Sequence, residues 1–177
     1  MSEVKKLIQP IIWIMGPTSS GKTTIAEKLV EKFRIDNKKI LHFDGDEVRG
    51  FFDRDFGFSS ENRLKVVKTI VHLANKSVEA GVNCIVSALT ANKDARDIIH
   101  RSIKNLIVVY IKCSIDECIR RDPKGLYNAA KKGEIDTLIG YNKKYPAPEK
   151  PDIIINTENY NVDDCVDKLY KDLEEKL

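Results

Sequence analysis

The sequence predicts an α/β protein with a parallel five-stranded sheet and helices on both faces, and three observations carry that expectation. Apolar runs of strand length recur at 11–15, 39–43, 83–88, 106–111 and 152–155, and stretches of helical periodicity separate them. The first run, Ile11-Ile12-Trp13-Ile14-Met15, opens directly into Gly16-Pro17-Thr18-Ser19-Ser20-Gly21-Lys22-Thr23, which fits G-x-x-x-x-G-K-[ST]. Strand, loop and following helix together specify a three-layer fold of the P-loop nucleoside triphosphate hydrolase type.

The helices follow in order. Residues 22–34 continue the loop with Thr24, Ile25, Ala26 and Leu29 at helical spacing, and further helices are expected over 60–80, 92–102, 115–121 and 162–176. The last carries Val162, Val166, Leu169, Tyr170 and Leu173 on one stripe. From Arg120 to Lys150 the alternation stops. That stretch holds Pro123, Pro146, Pro148, three glycines and many Lys and Arg, with one short helical piece around Asn128 to Lys132. A long basic segment next to a phosphate site reads as a lid, taken as about 121–149, that closes over the nucleotide and expels water.

A chain of 177 residues is the size of one domain and buries a core without staples. Its net charge of +3, from 30 basic and 27 acidic residues, implies no polyanion-binding surface, so nucleic acid is not the expected partner. Gln9 and Pro10 interrupt the N-terminal apolar run, which reads neither as a signal peptide nor as a membrane span, and a cytoplasmic protein is expected. Cys84, Cys113, Cys118 and Cys165 lie at irregular spacings and read as reduced structural residues rather than metal ligands.

The loop motif sets the chemistry. Gly16 and Gly21 let backbone N–H groups close on phosphate oxygens, with Ser19, Ser20 and Thr24 in the same cradle, and the helix N-terminus adds its free N–H groups. Lys22 brings a charge to the β- and γ-phosphates, and the Thr23 hydroxyl is placed to ligand Mg²⁺, so ATP with Mg²⁺ is the expected cofactor pair. At the end of the second strand stands Asp44-Gly45-Asp46. Either carboxylate there could orient a hydroxyl nucleophile, and Asp-Gly also suits a plain turn.

With Asp44-Gly45-Asp46-x-x-Arg49, Asp55-Phe56-Gly57-Phe58-Ser59, Arg63, Arg121-Asp122-Pro123-Lys124-Gly125-Leu126-Tyr127 and Pro146-x-Pro148-Glu149-x-Pro151, the chain strongly resembles adenylylsulfate (APS) kinases from about residue 10 onward. Those enzymes phosphorylate the ribose 3′-hydroxyl of adenylyl sulfate. The resemblance implies Asp44 nearest the attacking hydroxyl and Arg49 and Arg63 as anchors of the acceptor's anionic part. It also implies Phe58 as one face of a base clamp, and Lys124 with its neighbours Gly125 and Leu126 as lid residues near the phosphates; Asp46 and Ser87 are further expected substrate-binding residues. Small kinases of this kind are often homodimers, although no hydrophobic stripe marks an interface.

Four places depart from the family pattern. Val66 stands for an asparagine, Leu138 for the second clamp aromatic, Ala88-Leu89-Thr90-Ala91-Asn92-Lys93 for Phe-Ile-Ser-Pro-Tyr-Arg, and Asn142-Lys143 for an acidic pair. Losing one stacking face removes roughly 1–3 kcal/mol of base recognition. The expectation is therefore a kinase for a small anionic nucleotide with an acceptor other than adenylyl sulfate, such as cytidine diphosphoramidate. Authentic APS kinase and a nucleotide-binding regulatory protein without turnover are the alternatives.

Overall fold

The computed structural model describes residues 9–52 and 57–176. Asp55 and Phe56 of the quoted motif lie outside the described residues. Five strands, β1 (Ile11–Met15), β2 (Ile40–Asp44), β3 (Asn83–Ala88), β4 (Leu106–Lys112) and β5 (Ile153–Asn156), form one parallel sheet in the order β2-β3-β1-β4-β5. Each expected strand is present within a residue of its expected bounds at either end.

Alternation along β1 divides the core between two faces. Ile12 and Ile14 pack toward α1 (Lys22–Ile35) and α7 (Val162–Glu174), where Ile25, Leu29, Phe33, Leu169 and Leu173 are buried. Ile11, Trp13 and Met15 face the other way, onto α3 (Ser60–Glu79) and α4 (Lys93–Ser102), through Val67, Ile70, Ala74 and Ile99. Trp13 is fully buried and its indole N–H donates to Thr90 Oγ1 at 2.9 Å, so the largest core residue also holds the loop after β3.

Two local differences from the sequence expectation have clear causes. Asp44-Gly45 does not make a simple turn but starts a short helix, α2 (Gly45–Arg49). Asp44 is its N-cap, and its side chain accepts from the Asp46 and Glu47 amides. The helix expected around Asn128 to Lys132 begins earlier, as α6 (Leu126–Lys131), because Gly125 at φ +67° supplies a left-handed cap.

Residues 121–149 are not a bare loop. Cys113, Cys118, Tyr127, Ala130 and Leu138 form a small core of their own, reached from α5 (Ile115–Arg121), and Ile115, Leu126 and Ile135 pack on it. Tyr127 OH donates to Thr18 O at 3.0 Å, which ties this core to the phosphate loop. Arg96 of α4 donates to the Ala147 and Pro146 carbonyls and holds the far end of the segment. All four cysteines are free and buried, and burial pushes the Cys84 and Cys118 thiols up to about 12. Among the described residues no helix is long and apolar enough to cross a membrane.

Candidate active site

All strands run the same way, so the C-terminal ends of β1, β2, β3 and β5 meet along one edge, where an open parallel sheet holds its ligands. A cleft of about 780 Å³ lies there, within the size range of small-molecule sites.

The wall formed by the loop after β1 is made of backbone. Ser19 (φ +62°) and Gly21 (φ +97°) turn the loop, and α1 starts at Lys22 with no side-chain cap and no acidic residue in its first turn. The first N–H groups of α1 are thus left for an anion. The hydroxyls of Ser19 and Ser20 are buried without a hydrogen-bond partner, and that of Ser19, on the cleft wall, fits a loop shaped around phosphate oxygens. Gly16 and Ser20 lie beneath the loop rather than on the cleft wall. A Cβ on Gly16 would meet Ile111 O at 2.7 Å, so glycine is required by the close approach of β4.

Lys22 Nζ donates to Pro17 O at 2.7 Å. Desolvation lowers its pKa to about 8, partly offset by Asp46 and Asp44. Thr23 Oγ1 donates to Asp44 Oδ2 at 2.8 Å, which turns the hydroxyl's lone pairs outward to where a cation would sit. That donor set suits Mg²⁺, which typically takes only one or two protein oxygens and completes its shell with phosphate oxygens and water. Thr23 would hold the ion, whose chemistry is to neutralise charge on the transferring phosphoryl group.

The two carboxylates after β2 differ. Both Asp44 oxygens are engaged: Oδ1 accepts from the Asp46 and Glu47 amides, and Oδ2 from Thr23 and from Ser87 Oγ at 2.6 Å. Burial pushes the Asp44 carboxyl up, but the Ser87 and Thr23 hydroxyls and the two amides outweigh it and leave it below the usual carboxylate range. Asp46 is open to the cleft and paired at 2.5 Å with Nζ of Lys124, in the 121–149 segment.

Across the cleft from the phosphate loop, Phe58 is half exposed, with the Arg49 and Arg63 guanidiniums 4.6 and 5.7 Å from its ring centroid. Arg49 donates to Gly57 O, and Arg63 to Phe58 O and Thr137 O, so backbone fixes both forks. Desolvation lowers the pKa of each, and the charge of Arg49 lowers that of Arg63 further; both stay cationic, an arrangement that a bound anion would relieve.

Among the other expected residues, Ser87, Thr24, Lys124 and Leu126 line the cleft, whereas Gly125 does not and instead caps α6. The departures are placed too. Leu138 is only 8% exposed, half in the lid core and half on the cleft wall. Val66 belongs to the α3 core and also lines the cleft, and Ala88 packs where a Cβ on Gly45 would come within 3.2 Å.

Several wall residues were given no role of their own by the sequence. Arg121 donates to Thr157 O, and Thr157 Oγ1 donates to Ser20 O at 2.7 Å, joining α5, the end of β5 and the phosphate loop. With Tyr160, Asn161 and Val162 they wall the cleft on the α7 side. Arg121 sits in a recognisable motif, but Thr157 lies 137 positions from Ser20 and only the fold brings them together.

A phosphate-binding loop facing carboxylates and cations across one cleft is the arrangement of a P-loop kinase, and the family match makes it a phosphotransferase with an alcohol group as acceptor. The chain belongs to the adenylylsulphate kinase family, whose model matches residues 9–156. The adenylyl-sulfate kinase of Staphylococcus epidermidis is 35% identical over 167 residues, 93% of this chain and 84% of that one. A probable adenylyl-sulfate kinase of Aeropyrum pernix is 35% identical over 164 residues, 90% of either chain. The solved Mycobacterium tuberculosis APS kinase, in complex with AMPPNP and APS, superposes with a TM-score of 0.86 at 26% identity, covering 94% of this chain and 98% of that one.

Proposed function

We propose that this protein transfers the γ-phosphoryl group of MgATP to the 3′-hydroxyl of adenylyl sulfate. The observation that carries the reading is the Arg49–Phe58–Arg63 cluster, two fixed guanidiniums around an exposed aromatic ring, in the same cleft as Lys22 and Thr23. An aromatic face suits a base and paired guanidiniums suit a phosphosulfate. Relatives about 35% identical over nine-tenths of the chain are adenylyl-sulfate kinases, which supports this acceptor over the one expected from the sequence departures. None of the relatives described supports cytidine diphosphoramidate.

The roles divide between donor and acceptor. Loop amides and Lys22 hold the phosphates. Asp44, with both oxygens engaged, keeps the Thr23 hydroxyl turned to the metal, and Asp46, which faces the cleft and exchanges its pair with Lys124 for the acceptor, is the carboxylate that aligns the attacking hydroxyl. This differs from the role that resemblance alone gives Asp44. Phosphoryl transfer has a loose transition state, so alignment and charge neutralisation carry most of the rate and no strong base is needed. Residues 121–149 act as the lid, their small core keeping Lys124 over the phosphates.

The test is ADP release coupled to adenylyl sulfate under MgATP, against cytidine diphosphoramidate and simple nucleoside diphosphates. A kcat/KM of about 10⁴ M⁻¹s⁻¹ or more for adenylyl sulfate, above every other acceptor, is expected. A preference for another acceptor would overturn the assignment and restore the reading in which Leu138 and Val66 mark a changed acceptor pocket.

A further inference from the structure

We infer that His42 is a positioning residue of the nucleotide site, acting through Ser87 and Asp44 on the metal-facing hydroxyl of Thr23. The inference rests on the kinase reading of Thr23 and not on the identity of the acceptor.

In β2, residues 42 and 44 point to the same face, and β2 pairs with β3 so that Asp44 lies opposite Ser87 and His42 opposite Ile85. His42 Nε2 is 2.9 Å from Ser87 Oγ, and Ser87 Oγ is 2.6 Å from Asp44 Oδ2, which also takes the Thr23 proton at 2.8 Å. Four side chains from three elements therefore form one hydrogen-bonded chain, from the edge strand of the sheet to the phosphate loop.

Proton counting fixes its direction. A hydroxyl has one hydrogen, and an ionised carboxylate has none to give, so the Ser87 proton goes to Asp44. Ser87 Oγ then meets His42 only as an acceptor, and His42 must carry its proton on Nε2. Ser87 is 1% exposed, so bulk water has little access to its oxygen if the imidazole is removed. Without that donor the Ser87 rotor loses the partner that aims it, and a neighbouring bond that strengthens its own donation. Asp44 and then Thr23 are less well held. A histidine that merely filled space at a sheet edge would need neither the tautomer nor the Ser87 contact.

The test uses His42→Leu, His42→Gln, Ser87→Ala and the double variant His42→Leu/Ser87→Ala in the full chain, with calorimetric affinities for MgADP and for ADP in chelator. His42→Leu is expected to weaken MgADP about tenfold, the scale of one net hydrogen bond, while metal-free ADP changes less than twofold. His42→Gln, whose amide N–H can reach Ser87, is expected to keep most of the affinity. Adding His42→Leu to Ser87→Ala is expected to cost nothing more, since the two act in series.

On the wild-type protein, ¹⁵N spectra of the imidazole are expected to show the Nε2–H form. An Nδ1–H tautomer would overturn the inference without any variant. So would effects of His42→Leu and Ser87→Ala that multiply, or equal losses for ADP with and without Mg²⁺. None of these readouts uses an acceptor, so a failure of the adenylyl sulfate assignment leaves them standing.

Discussion

The donor and acceptor halves of the cleft are built from different materials. On the donor side, nine consecutive residues, Gly16 to Thr24, shape the site mainly through backbone: a left-handed Ser19 and Gly21, and uncapped N–H groups at the start of α1. The acceptor side is assembled from side chains on α2, the 57–59 segment and α3, the end of β3 and the lid, held by contacts such as Arg63 to Thr137 and Lys124 to Asp46 that span 74 and 78 positions. A backbone site tolerates few sequences, because its glycine and loop geometry are fixed by sterics. A side-chain site can be changed one residue at a time without disturbing the sheet. Val66 and Leu138, two of the departures from the resemblance, lie on this side-chain wall, and the phosphate loop carries none.

If that contrast holds, the largest effect should come from the donor charge. Lys22→Ala is expected to lower kcat by about 10²–10³-fold with little change in far-UV circular dichroism, because the lysine acts on phosphates from the first position of α1 and is not a core residue. Activity within tenfold of wild type would remove the loop from the mechanism.

The carboxylates sharpen the division next. Asp46→Asn is expected to lower kcat about 10²-fold at nearly constant KM for ATP, and Asp44→Asn to raise the Mg²⁺ requirement instead. Steady-state kinetics over a Mg²⁺ series separates the two, and the opposite pattern would return the acceptor role to Asp44. On the acceptor side, Phe58→Ala should raise the acceptor KM about tenfold, within the roughly 1–3 kcal/mol of one stacking face, and leave the KM for ATP unchanged.

A pH series probes the donor side more gently. In the free protein Lys22 loses its proton near about 8, and a bound polyphosphate raises that value, so binding takes up a proton above this pH. ATP affinity should therefore fall as pH rises from 8 to 9, by less than about tenfold. Proton uptake measured calorimetrically in two buffers of different ionisation enthalpy checks the sign. The smallest effect expected is that of Lys124→Ala on stability, under about 1 kcal/mol in chemical denaturation, because its pair with Asp46 is solvent-exposed.

The sequence alone determined the five strands, the phosphate loop and the family, because each is written locally: apolar runs with β periodicity, helical stripes, and a glycine-lysine spacing whose geometry is nearly unique. It did not determine α2, since Asp-Gly is as good a turn as a helix start until the Asp44 side chain is seen capping two amides. Nor could it place Thr157 against Ser20, give Leu138 its seat in the lid core, or join His42 to Ser87 and Asp44. Those depend on strand order and register and, for Leu138, on how the 121–149 segment packs, which bring together residues far apart in the chain. Local periodicity carries no information about which neighbours a strand will have, so the tertiary structure alone decided them.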